Sequence, residues 1–134
     1  MAEALELEVA TPERQVVHEQ VSEVQIPGAT GFLGILPGHA AMLSELGTGF
    51  LNYTAGGRKR YLSIRGGFVE VLEDHVRVLA NVAERAEEID VSRARADLEK
   101  AQEQVGNPAL GVDPAVALDA LAWAQARLDA AAGG

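Results

Sequence analysis

The sequence predicts an α+β fold, an N-terminal antiparallel β-sandwich followed by a C-terminal two-helix antiparallel hairpin. Three observations carry that expectation. Short runs of alternating apolar residues separated by Gly-rich turns occupy residues 1–86. Apolar residues at three- and four-residue steps, rich in alanine, occupy residues 87–134. All five Phe and Tyr residues lie in the first segment, and the single Trp lies in the second. Charge does not divide the chain, because the two segments carry net charges of −4 and −5. Periodicity divides it.

Leu5-Glu6-Leu7-Glu8-Val9 alternates in the manner of a half-buried strand. Along residues 16–26 the apolar parity shifts between Val21 and Val24, which predicts a bulge or bend, and Pro27-Gly28 ends the run. Gly56-Gly57 predicts a hairpin turn between strands at residues 49–54 and 60–65. A second hairpin is expected at Glu73-Asp74, joining residues 68–72 to 76–82. Asp90 then offers an N-cap, preceded by Glu87 and Glu88, whose charges suit the positive end of a helix. Val91, Ala94, Leu98, Ala101 and Val105 share one face of that helix, and Gly106-Asn107-Pro108 stops it. Asp113-Pro114 starts a second helix, on which Leu118, Leu121 and Leu128 form one stripe. Two such stripes joined by a short loop predict an antiparallel pair.

At 134 residues, 48% hydrophobic and 23% charged, the chain has the composition of an ordinary globular protein. A net charge of −9 argues against nucleic acid as a partner, since phosphate binding needs a basic footprint. With no cysteine there is no disulfide framework and no thiolate chemistry. The acidic N-terminus lacks the pattern of a secretory or transit peptide, and no apolar run approaches the ~20 residues that span a bilayer. Direct membrane insertion is not expected.

Most signatures of catalysis are missing. Gly28, Gly31, Gly34 and Gly38 make a glycine-rich stretch, but no Gly-Lys-Ser/Thr follows, so it is not a P-loop. His18, His39 and His75 are scattered without the linear spacing of metal ligands; no metal is expected. His18 is assigned to a strand face and His75 to the side of a hairpin turn. Arg58-Lys59-Arg60, beside Gly56-Gly57, reads as a solvated hairpin tip. A small β-sandwich enzyme would need convergent acid and base residues, and none stand out.

The blocks Gln25-Ile26-Pro27-Gly28 and Gly34-Ile35-Leu36-Pro37-Gly38-His39-Ala40 give the chain a resemblance to the epsilon subunits of bacterial F-type ATP synthase. Gly66-Gly67-Phe68-Val69-Glu70-Val71 is similar to a later strand of that family, and residues 83–90 to its junction into the helices. The resemblance runs from about Leu5 to Gln104. It implies a non-catalytic rotor subunit in the central stalk, with residues 1–86 bound to the gamma subunit and the c-ring. Residues 87–134 would be regulatory: packed on the sandwich in one state, extended along gamma into the alpha/beta catalytic head in another, where they block ATP hydrolysis. The expected location is the cytoplasmic side of the bacterial inner membrane, peripheral, as part of the synthase.

Two sets of site residues follow from the same resemblance. The loop holding Gly28, Gly31, Phe32, Leu33 and His39 is similar to the segment facing the c-ring or gamma. Phe32 would offer an apolar contact there or pack in the core, and His39 stabilises the turn. Ile89-Asp90-Val91-Ser92-Arg93-Ala94 is similar to a signature of ATP-binding epsilon subunits, so Glu84, Asp90, Arg93, Lys100 and Arg127 are the candidate nucleotide contacts. Lys100 and Trp123 depart from it, standing where those relatives carry arginine. On the residues alone, Asp90 caps the helix and Arg93 pairs with Asp97 at i, i+4. No cofactor is required, and weak ATP binding is the most the set implies; a stand-alone ATP-sensing module is the alternative reading. Trp123 shares a face with Val116, Ala120 and Arg127, opposite the leucines. That face either packs on the sandwich or docks on gamma or the catalytic head.

Overall fold

The computed structural model describes residues 4–134, so the first three residues of the expected β region lie outside the described residues. Seven strands follow in chain order: β1 (Leu5–Ala10), β2 (Gln15–Val21), β3 (Glu23–Gly28), β4 (Gly31–Ile35), β5 (Met42–Ala55), β6 (Arg58–Leu72) and β7 (His75–Arg85). They are hydrogen-bonded in the order β2-β1-β7-β6-β5-β3-β4. All pairs are antiparallel except β1–β7, which is parallel. The expectation of a purely antiparallel sandwich therefore misses one ladder, made when the first strand inserts between β2 and the last strand.

The ladder folds over on itself. β2 is one edge and β3 is next to the other, yet only Ser22 separates them in sequence. Two elements one residue apart must be neighbours in space, so the two ends of the sheet face each other. Ser22 itself is pinned by its N–H, which donates to Thr54 O at 2.8 Å. The parity shift between Val21 and Val24 is this crossing from one layer to the other, rather than a bulge within one strand.

Alternating residues fill the space between the layers. Leu5, Leu7 and Val9 of β1, Ile26 of β3, Leu51 of β5, Ile64 and Val69 of β6, and Val76 and Val78 of β7 are all fully buried. Each such side chain contributes about 1.5–3 kcal/mol of transfer free energy. The long central strands bend on small residues. The β5–β6 register skips Gly47 and Gly66, and the β6–β7 register skips Gly66 and Asn81. Gly67 has φ +119°, and a Cβ there would collide with Leu79 O across the ladder. Gly66-Gly67 is therefore a crease inside one strand of 15 residues, where the sequence pattern had indicated two separate strands.

A single 3-10 turn, Ala86–Glu88, leads out of the sandwich. Glu88 accepts from the Arg85 backbone N–H at 3.0 Å and from Arg14 of the β1–β2 turn at 2.8 Å. The hydrogen bond from the Arg14 guanidinium, with that from the Arg85 amide, holds the Glu88 carboxyl at about 2. Helix α1 (Val91–Gly106) begins at Asp90, whose Oδ1 accepts from Arg93 N–H at 3.0 Å, the cap expected. Helix α2 (Pro114–Ala132) begins at Asp113, whose Oδ1 accepts from Ala115 N–H at 2.8 Å.

Helix α2 lies against both α1 and the outer side of β5 and β6. Its buried residues are Ala117, Ala124, Ala126 and Ala130, and those of α1 are Ala94 and Ala101. Leu118 is 52% exposed and Leu121 and Leu128 are only half-buried, so the fully buried positions of α2 are alanines rather than the leucine stripe. Small side chains let the helix approach two neighbours at once, which a ridge of leucines on the sheet side would prevent.

Candidate functional site

Of the residues implicated in nucleotide contact, Glu84 and Arg127 meet directly and Arg93 is joined to them through Asp97. Glu84 ends β7 and Arg127 lies on α2. Arg127 Nε donates to Glu84 Oε1 at 2.8 Å and its Nη2 to Oε2 at 3.4 Å, a two-point clamp between sheet and helix. Arg127 Nη1 is also 3.8 Å from Asp97 Oδ2, and Arg93 Nε is 3.5 Å from Asp97 Oδ1, the expected i, i+4 pair. A chain of alternating charge thus runs Glu84–Arg127–Asp97–Arg93 and joins β7, α2 and α1. Asp90 is engaged as the α1 cap. Lys100 forms no ion pair among the described residues. It lines a shallow cavity of about 240 Å³ with Arg65, Asp97, Ala101, Gln104, Ala120, Trp123 and Ala124.

Trp123 stands at this seam. The Arg65 guanidinium of β6 lies 5.8 Å from its ring centroid and that of Arg127 lies 5.9 Å away. Arg65 also forms an ion pair with Asp119, one helical turn before Trp123. One sheet arginine therefore grips two α2 residues. In this conformation Trp123 and Arg127 of that face lie against the sandwich, while Val116 at its other end is 62% exposed.

The other candidate set lies on the β3–β4 hairpin and the loop after it. Gly28 pairs with Gly31 across the turn, and a Cβ on Gly28 would come within 2.7 Å of Gly31 O, so the tight approach requires glycine. Phe32 is 54% exposed, which excludes the core, and its ring lies tilted against Phe50 with 4.8 Å between centroids. Leu33 pairs with Ile26 and is half-buried. His39 donates its backbone N–H to Leu36 O at 3.1 Å, and its Nδ1 is 2.7 Å from Ala40 O, so it braces the turn as expected. Gly38 N–H donates to Asp74 Oδ1 at 2.7 Å, which ties this loop to the β6–β7 turn. Glu73 and Asp74 of that turn have φ of 51° and 61° without being glycine.

One surface was not anticipated. Leu43, Phe68 and Leu79 are 74%, 53% and 53% exposed and together line a depression on the outer face of β5, β6 and β7, with Glu70 and Arg77 at its rim. The signal was present in Phe68-Val69-Glu70-Val71-Leu72. Val69 and Val71 are buried while Phe68 and Leu72 are not, so this strand is apolar on both faces, against the rule for a half-solvated sheet.

Comparison with known proteins bears on the whole of this architecture. Residues 4–86 match the family model for the ATP synthase delta/epsilon chain β-sandwich domain, and residues 87–132 match the model for the delta/epsilon chain long α-helix domain. The chain is 66% identical over 128 residues to an ATP synthase epsilon chain of Solibacter usitatus, covering 96% of each. It is 44% identical over 131 residues to that of Syntrophobacter fumaroxidans, covering 98% of each. In structure it is similar to a chain in the Euglena gracilis mitochondrial ATP synthase OSCP/F1/c-ring assembly, with TM-score 0.84, 27% identity, and 98% of this chain and 83% of that chain covered. No helix among the described residues is long and apolar enough to cross a membrane. The chain belongs to the ATP synthase delta/epsilon family, as an epsilon chain and hence a non-catalytic subunit of that membrane-associated complex.

Proposed function

We propose that this chain is the central-stalk rotor subunit that couples c-ring rotation to the catalytic head, binding gamma and the ring through residues 1–86. The observation that carries this reading is the exposed apolar face of Leu43, Phe68 and Leu79. Three large apolar side chains left in water on one sheet face are what a partner interface requires. In this reading the face meets gamma, and the β3–β4 hairpin with Phe32 meets the ring. The subunit then sits on the cytoplasmic side of the bacterial inner membrane, peripherally. Co-purification with the gamma subunit tests it. The variant Phe68→Asp should lose gamma while keeping its own melting temperature; retention of gamma would remove this face from the interface.

The helices are the regulatory part in this proposal. α1 makes its main contact with α2, and α2 is held to the sheet by alanine contacts and a few polar clamps, so undocking sacrifices little apolar burial. Truncation after Val105 should preserve assembly and raise ATPase activity of the complex. Unchanged activity would end the inhibitory role. Nucleotide binding is secondary here, because phosphate would have to displace Asp97 and Glu84 from Arg93 and Arg127. Calorimetry should accordingly find weak ATP binding at most. Tight binding by a chain without affinity for gamma would instead favour a stand-alone nucleotide sensor.

A further inference from the structure

The fold assembles a group of side chains that the linear sequence keeps apart. On the outer face of β2, β1 and β7, Glu8 stands opposite His18 on one side and Arg77 on the other, while Glu6 stands opposite His75. His18 Nε2 is 2.8 Å from Glu6 Oε2 and 3.7 Å from Glu8 Oε1. One ligand atom from each of Glu6, Glu8 and His18 lies within 4.8 Å of the other two. Behind them, His75 Nε2 is 2.9 Å and Arg77 Nε 3.3 Å from the second oxygen of Glu8.

We propose that Glu6, Glu8 and His18 form a binding site for a borderline divalent transition metal, with Zn²⁺ as the type ion. The donor set is one imidazole nitrogen and two carboxylates, which suits Zn²⁺ and its neighbours and not an ion that prefers oxygen alone. Zinc bonds of about 2.0–2.2 Å place tetrahedral donors about 3.3–3.5 Å apart. The His18–Glu8 separation is already near that value, and the His18–Glu6 hydrogen bond needs only to open by a few tenths of an ångström. The strands fix the backbone of all three ligands through the β1–β2 ladder, so only side-chain rotation is required. His75 and Arg77 hold the far oxygen of Glu8 and orient the carboxylate, the part that outer partners play around a metal. A fourth position is left for water. The chain's net charge of −9 favours accumulation of cations at such a face.

The alternative is a surface ion-pair network that binds nothing, and metal titration separates the two. Isothermal titration of the full chain with Zn²⁺ should give one site per chain, with a rise in melting temperature that grows with free Zn²⁺. His18→Ala and, separately, Glu6→Gln should each weaken binding by at least about ten-fold, the lower bound even for outer-sphere changes. His39→Ala, on the unrelated loop, should leave binding unchanged. Arg77→Gln should weaken it too, because it removes a partner that orients the Glu8 carboxylate; an ion-pair network alone predicts no metal response to any of these. Co²⁺ substituted at the site should give visible absorption of tetrahedral intensity that is lost in His18→Ala. Absence of Zn²⁺ binding, binding indifferent to His18→Ala and Glu6→Gln, or binding abolished by His39→Ala would each overturn the proposal. Since Glu6→Gln keeps the shape and the strand, its melting temperature without metal distinguishes lost binding from lost fold.

Discussion

Replacing Arg65 by alanine should release α2 from the sheet while leaving the sandwich intact. Arg65 makes two contacts with the helix: an ion pair with Asp119 and a cation–π contact at 5.8 Å from the Trp123 ring. The ion pair is exposed, 36% on the arginine and 53% on the aspartate, so it contributes only about 0.2–1 kcal/mol. The cation–π contact adds about 0.5–1 kcal/mol at a partly exposed site. The sum is roughly 0.7–2 kcal/mol, all of it on the docked state. At about 1.4 kcal/mol per factor of ten, the undocked population rises roughly three- to thirty-fold. Hydrogen exchange reads this directly: α2 amides should lose protection by that factor, whereas amides of β1 and β7 keep theirs. Trp123 is the only tryptophan in the chain, so its fluorescence provides a second, independent report of docking. Unchanged α2 protection would refute the assignment of Arg65 as a clamp. Equal loss of protection in α2 and the strands would show that the helix and the sandwich open as one unit.

Glu88→Gln should have an effect that depends on pH. The carboxyl has a folded value of about 2 against an ordinary 4.5, so its contribution is fully present above 4.5 and is lost as pH falls through 2. The melting-temperature gap between wild type and variant should therefore be constant at neutral pH and close across that acid window; a gap independent of pH would remove the Arg14–Glu88 contact as its cause. Gly67→Ala should destabilise by more than about 3 kcal/mol, because it combines a φ of +119° with a collision against Leu79 O; urea denaturation gives the value, and a loss under 1 kcal/mol on the order of ordinary surface changes would show that the crease relaxes freely. Tyr53→Phe should cost about 1.5–3 kcal/mol, since the hydroxyl of this buried residue donates to the carboxylate of Glu19 at 2.6 Å across the two layers. The urea midpoint checks it, and no change would mean that water replaces the hydroxyl at no cost.

The parts of the fold that were legible are those fixed by local chemistry. β1 announces itself because each Glu alternates with a buried Leu or Val. The Asp90 and Asp113 caps are local, as are the turns at Gly56-Gly57 and Glu73-Asp74. What escaped depends on partners distant in sequence. Gly66-Gly67 looks like a strand terminator until Leu79 O and Asn81 are seen to occupy the space of its missing side chains. α2 is apolar on several faces, so periodicity cannot decide between its leucines and its alanines; contact with two neighbours at once selects the alanines. Among the site residues, the Arg93–Asp97 pair is a one-turn relation and is readable. The Glu84–Arg127 clamp spans 43 residues and is not. The same holds for His18 and His75, which share a carboxylate neighbour only because β1 lies between β2 and β7.

The single-residue link at Ser22 has a mechanical meaning for a part proposed to transmit rotation. An open sheet loaded sideways can peel from an edge, one hydrogen-bonded strand at a time. Here the edge strand β2 is joined by covalent backbone to the opposite layer, so the two layers cannot part at Ser22 by more than one residue's reach even if the hydrogen bonds there open. The other end of the ladder, β4, has no such stitch and pairs only with β3. The sandwich is thus tethered across its layers at one margin and untethered at the other, where the hairpin carries Phe32.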